Sequence, residues 1–327
     1  MVAELIPHSE HLAWLTDGKV IRPDGAVMSW VNPTHPGYAY PEIAGYMLSY
    51  LAQHGRAAAE LRNRVARHLT GDIKPSGAVG RNGTEYVFDS AMVLAGLVAH
   101  VRAGGLLPEA DMLDRLHEFI TSRLRRRAGI AGEAEAPATH WSASYGCHLL
   151  KAVISLTAYG EVGRTGSARR LAEVLLDDLL PLFDGARFHV NGLSDATYTH
   201  AHCYAIEGLL TLDGRGRRGL RQYIERGAEW LADVQTADGG VPSGYAAARL
   251  APAHADCTAQ AVRIWTCVDP ERFATSISRG ATFLNGLTLD GGIRYRPGSD
   301  DINTWATIFG AQALDYAENG GRWEWII

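Results

Sequence analysis

The sequence predicts an all-α ring of six helical hairpins, an (α/α)6 toroid, with short β-like turns after the outer helices. Three observations carry this. First, a tripeptide recurs as Asp24-Gly25-Ala26, Asp184-Gly185-Ala186, Asp238-Gly239-Gly240 and Asp290-Gly291-Gly292, with Ser76-Gly77-Ala78 as a variant. Successive starts lie 52, 108, 54 and 52 residues apart, and the double interval holds a degenerate copy at Gly129-Ile130-Ala131-Gly132. A fixed period of this length marks a repeat architecture. Second, each turn lies between a charged amphipathic helix and a second helix rich in Ala, Gly and Leu. Third, helical patterns at both ends of the chain complete six outer and six inner helices, so the ends should meet.

The first helix of each pair carries charge on one face and leucine on the other, as over 56–69, 108–127 and 167–180. Such a face suits an outer ring. Glycine after such a helix supplies the left-handed backbone that a stop requires. The second helices begin near Pro41, Phe88, Trp141, Tyr198, Asp256 and Asn303, and their small residues allow the close approach an inner ring needs. The opening outer helix falls around residues 8–15 and the closing inner helix at 303–317. Residues 1–327 are read as a single domain, because a ring grows around one core.

Composition narrows the function. Hydrophobic residues make up 46% and charged residues 20%, ordinary for a globular protein, and a net charge of −5 disfavours nucleic-acid binding. The arginine clusters at 123–127 and 215–218 fall at helix ends, where solvated C-terminal turns are expected. The N-terminal stretch lacks the basic and apolar regions of a secretory signal, and no window suggests a membrane span. Cys147, Cys203, Cys257 and Cys267 show no CxxC spacing, which points to reduced thiols in a cytoplasmic protein.

The repeat resembles the six-hairpin toroids: the N-acylglucosamine 2-epimerase superfamily, unsaturated glucuronyl hydrolases and related glycosidases, and, more distantly, terpenoid cyclases and prenyltransferases. Gln235-Thr236-Ala237-Asp238-Gly239-Gly240 resembles the QW repeat of squalene-type cyclases, with Val241 at the tryptophan position. The segment from His202 to Leu209 is similar to a helix of sugar epimerases, including uronyl C5-epimerases. The resemblance implies a toroid with a ligand in its central funnel. It does not fix the chemistry.

Residues at i, i+4 and i+7 share a helix face. That spacing groups His200, Tyr204 and Glu207 on one inner helix, Trp141, Tyr145 and His148 on another, and Asp256, Gln260 and Arg263 on a third. Glu42 and Tyr46 form a shorter pair, and Asp89, Asp301 and Trp305 stand near further inner-helix starts. Polar stripes on otherwise apolar helices imply a wet concavity. Asp89, Asp256 and Asp301 could equally be helix caps, His148 a hydrogen-bonded core residue, and Trp141 and Trp305 packing residues.

Glu207 stands between Ile206 and Gly208 in mid-helix, where a lone carboxylate is costly to bury. It needs a partner, a funnel or a raised pKa, and the last suits a general acid. His200 and His202 could serve as bases. The expected catalytic set is therefore Glu207, His200, Tyr204, His202 and Asp256. Glu42, Tyr46, Asp89, Trp141, Tyr145, His148, Gln260, Arg263, Asp301 and Trp305 are expected to bind substrate.

No cofactor and no metal are expected, because no sequence-local spacing gathers three zinc ligands. Terpenoid chemistry is disfavoured by the absence of Asp-x-Asp-Asp and Asp-Asp-x-x-Asp. The reading is a carbohydrate-active enzyme (epimerase or isomerase, hydrolase or lyase) using acid–base chemistry on a small, hydroxyl-rich substrate. The alternatives are an isoprenoid cyclase or prenyltransferase-like enzyme, and a non-catalytic toroid binding a glycan or peptide.

Overall fold

The computed structural model describes residues 8–81, 83–127, 145–163, 166–191 and 195–327. Twelve α-helices run through them: α1 (His8–Leu15), α2 (Pro41–Gln53), α3 (Ala59–Gly71), α4 (Val87–Arg102), α5 (Met112–Arg127) and α6 (Ala152–Gly163). These are followed by α7 (Gly166–Leu179), α8 (Thr199–Gly214), α9 (Arg221–Asp233), α10 (Ala255–Val268), α11 (Ala274–Leu287) and α12 (Thr304–Asn319). The even-numbered helices form the inner ring, each packed on the next, and α12 returns to α2. Five of them begin within one residue of the positions read from the sequence. The remaining one, α6, is entered through a 3-10 turn at Cys147–Lys151, while Trp141 and the turn at 129–132 lie outside the described residues.

The division into rings follows from side-chain size and pattern. In α9, Ile224, Ala228 and Leu231 recur at helical spacing and are fully buried, while arginines and glutamates take the other face. Truncating Leu231 to alanine would cost about 2–5 kcal/mol. Inner helices are buried nearly all round, and glycine lets them touch. A Cβ on Gly96 would stand 2.4 Å from the Gly45 carbonyl oxygen, and one on Gly208 2.1 Å from that of Leu150.

The repeated tripeptide is a repeated joint. The side chains of Asp24, Asp184 and Asp238 accept the backbone N–H two residues on, closing a small Asx turn. The following glycine has positive φ, 95° at Gly25, 91° at Gly239 and 86° at Gly291. At Gly25, Gly77, Gly239 and Gly291 it lies against the backbone of the next outer helix, whereas Gly185 makes no such contact. A Cβ on Gly25, Gly77 or Gly239 would meet the carbonyl oxygen of Arg64, Arg115 or Arg279 at 2.2–2.4 Å. Gly291, in the last repeat, meets the Glu10 carbonyl of α1 in the same way.

The ring is therefore closed with the contact that builds it. Helix α1 packs on α12, His11 Nδ1 lies 2.6 Å from the Gly291 carbonyl oxygen, and Trp30–Val31 pairs antiparallel with Ile302–Asn303. No helix among the described residues is long and apolar enough to cross a membrane.

Candidate functional site

The N-terminal ends of the inner helices surround a cleft of about 700 Å³. Glu42 of α2, Phe88 and Asp89 of α4, His200 and Tyr204 of α8, Asp256 and Cys257 of α10 and Trp305 of α12 all line it. The loops and short strands before those helices add Tyr38, Tyr40, Arg81, Tyr86, His254 and Tyr295.

One wall carries Asp89. Tyr86, not Asp89, holds the cap position before α4, and its side chain makes no cap hydrogen bond. Burial raises its carboxyl well above the usual range, and the Glu42 charge adds to this. Arg81, with Nε 3.7 Å from Asp89 Oδ2, opposes it only in part. The Arg81 guanidinium is itself stacked 3.8 Å over the Tyr40 ring and donates to the Tyr38 hydroxyl. Glu42 accepts from the Tyr46 hydroxyl at 3.1 Å, and that hydroxyl shares a 2.7 Å hydrogen bond with Tyr204.

The wall formed by α8 and α10 carries Asp256. Its Oδ1 accepts the Cys257 N–H at 2.8 Å, and its Oδ2 lies 3.2 Å from His200 Nδ1 and 3.4 Å from Trp305 Nε1. Burial alone would raise this carboxyl. The hydrogen bond and charge of His200, with His254, bring it below the usual range instead. Donor atoms of His200, Asp256 and Cys257 lie within 4.8 Å of one another, close enough to hold a metal ion. Burial pushes the Cys257 thiol well above its ordinary range, and the neighbouring carboxylate pushes it further.

The remaining sequence candidates lie away from the cleft. The stripe on α8 faces the ring axis, but a helix descends 1.5 Å per residue, so Glu207 sits roughly 10 Å below His200. There it is fully buried between Lys151 Nζ and Arg263 Nη2, each 2.6 Å from one of its oxygens, with Gln260 at 3.4 Å. The partner this carboxylate requires is thus a pair of cations. The stripes of α8 and α10 meet level by level, His200 with Asp256 at the mouth and Glu207 with Gln260 and Arg263 beneath.

His202 points away from the axis. Its Nδ1 accepts the Phe188 N–H at 3.1 Å and its Nε2 donates to the Gly227 carbonyl at 3.2 Å. Ser90, Thr258 and Thr307 accept the N–H of Val79, Val241 and Ile293 in the corresponding places of other repeats, so His202 fills a structural slot of the ring. The Tyr145 hydroxyl donates to Asp178 of α7, His148 is buried against the Phe88 ring, and Asp301 accepts from Asn32. The helix cap there is Asn303, which accepts the Ala306 N–H.

A larger cavity, about 1200 Å³, opens at the other mouth of the ring under Trp323 and Trp325. Its arginines serve the helix ends. Arg62 and Arg102 donate to the Ala103 and Ala158 carbonyls, and Arg102 and Arg215 share Glu161. The acid–base groups lie at the first mouth.

The fold matches solved sugar-processing toroids along nearly its whole length. It superposes on an unsaturated glucuronyl hydrolase responsible for the degradation of glycosaminoglycan, from Bacillus sp. GL1, with a TM-score of 0.63 and 14% identity over 96% of this chain and 98% of that one. A glycosyl hydrolase family 88 protein from Bacteroides vulgatus gives 0.66 and 9% over 96% and 99%. A polysaccharide lyase gives 0.64 and 12% over 95% of both chains. No family model matches the sequence, and no curated protein matches it. At these identities the likeness is one of fold: the chain is an (α/α)6 toroid.

Proposed function

We propose that the protein is a carbohydrate-active enzyme of the hydrolase or lyase type, acting in the cleft at the N-terminal ends of the inner helices. One observation carries the reading: two carboxylates line this cleft in opposite environments, Asp89 pushed up and Asp256 pulled down. Such a divergence marks an acid and a base. In hydrolysis, Asp89 gives its proton to the departing glycosidic oxygen, while Asp256 with His200 takes the proton of the attacking water. In elimination, the same base removes a proton from carbon and Asp89 protonates the leaving oxygen. Tyr38, Tyr198 and Trp305 provide aromatic faces for a sugar ring, and Arg81 and Glu42 provide polar contacts for hydroxyl groups.

In this reading Glu207 and His202 hold the ring together rather than move protons. Three carboxylates, two histidines and an arginine around the cleft suit a hydroxyl-rich ligand better than an isoprenoid, and a site that only binds would have no use for the divergent pair Asp89 and Asp256. The closed inner ring supports treating the chain as a single domain, and the four free cysteines fit a cytoplasmic setting.

The test begins with a thermal-shift screen of glycosides, uronates and unsaturated oligosaccharides, since a ligand of the folded state raises its melting point. Turnover of the hits is then followed by reducing-end release and by uronate ultraviolet absorbance. Asp89→Asn and Asp256→Asn should each remove most activity, Asp89→Asn while leaving the melting point near that of the parent. Exchange of a sugar-ring proton with solvent, without cleavage, would move the assignment to an epimerase.

A further inference from the structure

Lys151 closes the 3-10 turn before α6 and is 1% exposed. Its ammonium donates to Glu207 at 2.6 Å and to the Ile327 carbonyl at 2.5 Å. Its remaining side faces three rings, with centroids at 4.6 Å for Tyr204, 5.4 Å for Phe309 and 5.5 Å for Tyr46. A desolvated cation over aromatic faces is held strongly, because no water competes for it. Of these rings, that of Tyr204 lines the cleft. Tyr204 shares its hydroxyl hydrogen bond with Tyr46, Tyr46 bonds Glu42, and His200 stands edge-on to Tyr204 at 4.3 Å. The clamp on Lys151 is anchored from the far mouth: Arg263 also donates to the Ile327 carbonyl, and Gln312 donates to that of Trp325.

We propose that Lys151 is a positioning residue for the cleft. Its ammonium, fixed by Glu207 and by the Ile327 carbonyl, pins the rings of Tyr204 and Tyr46 and so sets the phenol–phenol–carboxylate chain that orients Glu42 beside Asp89. The assignment of work to the cleft rests on the function proposed above, whereas the pinning of the rings does not. Nothing of Lys151 reaches substrate. Its effect is to hold polar groups that must keep one geometry in a site where a small displacement costs rate.

The experiment uses the full chain with Lys151→Met, which keeps volume and removes the charge, and Lys151→Gln, which keeps a hydrogen bond to Glu207 without the charge. Ring resonances of ¹³C-labelled tyrosine report pinning without any substrate. The parent should show separate signals for the two edges of the Tyr204 ring, and both variants should show averaged ones. On a substrate found in the screen, kcat should fall about tenfold with KM within about twofold, since positioning acts on the transition state rather than on uniform binding. Lys151→Arg, still cationic, should recover part of kcat. Unchanged ring signals in a folded Lys151→Gln variant overturn the proposal. So does unchanged kcat in both neutral variants. Averaged ring signals in a protein that turns over no carbohydrate uphold the pinning and count against the function instead.

Discussion

His200 Nδ1 and Asp256 Oδ2, 3.2 Å apart, join α8 to α10 at the lip of the cleft. The contact has a directional consequence. His200 supplies the hydrogen bond and most of the charge that offset burial at Asp256. A carboxyl with a depressed folded pKa stabilises the fold above its unfolded value, and this is lost as pH falls through the folded value. His200→Ala should therefore move the acid limb of kcat/KM, and acid unfolding, to higher pH. Rate profiles and acid titrations of the two proteins check this, and an acid limb that does not move removes Asp256 from the role of base.

Asp89 is governed from both sides, so its neighbours should shift the alkaline limb in opposite directions. Glu42 raises its carboxyl and Arg81 lowers it. Glu42→Gln should bring the alkaline limb down, and Arg81→Met should carry it up. Asp89→Asn should lose about a hundredfold or more of turnover at every pH, the usual loss for a positioned acid. Equal profiles for the Glu42 and Arg81 variants would show that Asp89 is not the titrating acid.

His202 sets an acid limit on stability. Burial pushes it from 6.5 to about 4, and the Gly227 hydrogen bond offsets this only in part. Between these values the unfolded chain binds the proton and the folded one does not. Stability is thus fully present above 6.5 and falls as pH drops through the window, by about 3 kcal/mol in all. Denaturant titrations at pH 7, 5 and 4 should show the loss, and His202→Gln should flatten that dependence without changing the pH profile of turnover.

Glu207→Gln should act on stability before activity. It leaves Lys151 and Arg263 facing each other across a buried amide. Removing one partner of a buried ionic group costs about 3–5 kcal/mol. The readout is the midpoint of chemical unfolding. A variant as stable as the parent but inactive would instead return Glu207 to direct chemistry.

On α2, α8 and α10 the face of the helix was legible in the sequence and its depth was not, whereas the spacing of Trp141, Tyr145 and His148 falls outside α6 and set no face. Spacing at i, i+4 and i+7 turned His200, Tyr204 and Glu207 toward the axis, as the structure has them, but rise along the helix separates the mouth from the buried centre. The role of His202 was hidden because only the fold sets it beside Ser90, Thr258 and Thr307 as one more acceptor for a turn N–H. Arg81, Tyr40, His254 and Tyr295 come from loops and two-residue strands, too short for a period to assign a face. Lys151 could have been found. It is a lone cation in the apolar run Leu149-Leu150-Lys151-Ala152-Val153, the counterpart of the lone anion Glu207, and two unexplained opposite charges on inner helices call for each other.

Gly291 lies against α1 as Gly239 lies against α11, so the last hairpin is bounded by a neighbour like any other. An open stack of repeats has end units with one missing neighbour, and these fray first. A ring closed by such a seam has no end unit, and breaking the seam turns it into an open stack with two weak ends. Gly291→Ala, at a φ of 86° with a backbone oxygen 2.4 Å from the new Cβ, should do this for about 2–4 kcal/mol. Hydrogen exchange should then show unfolding change character, from one transition shared by all six hairpins to a loss that spreads inward from α1 and α12.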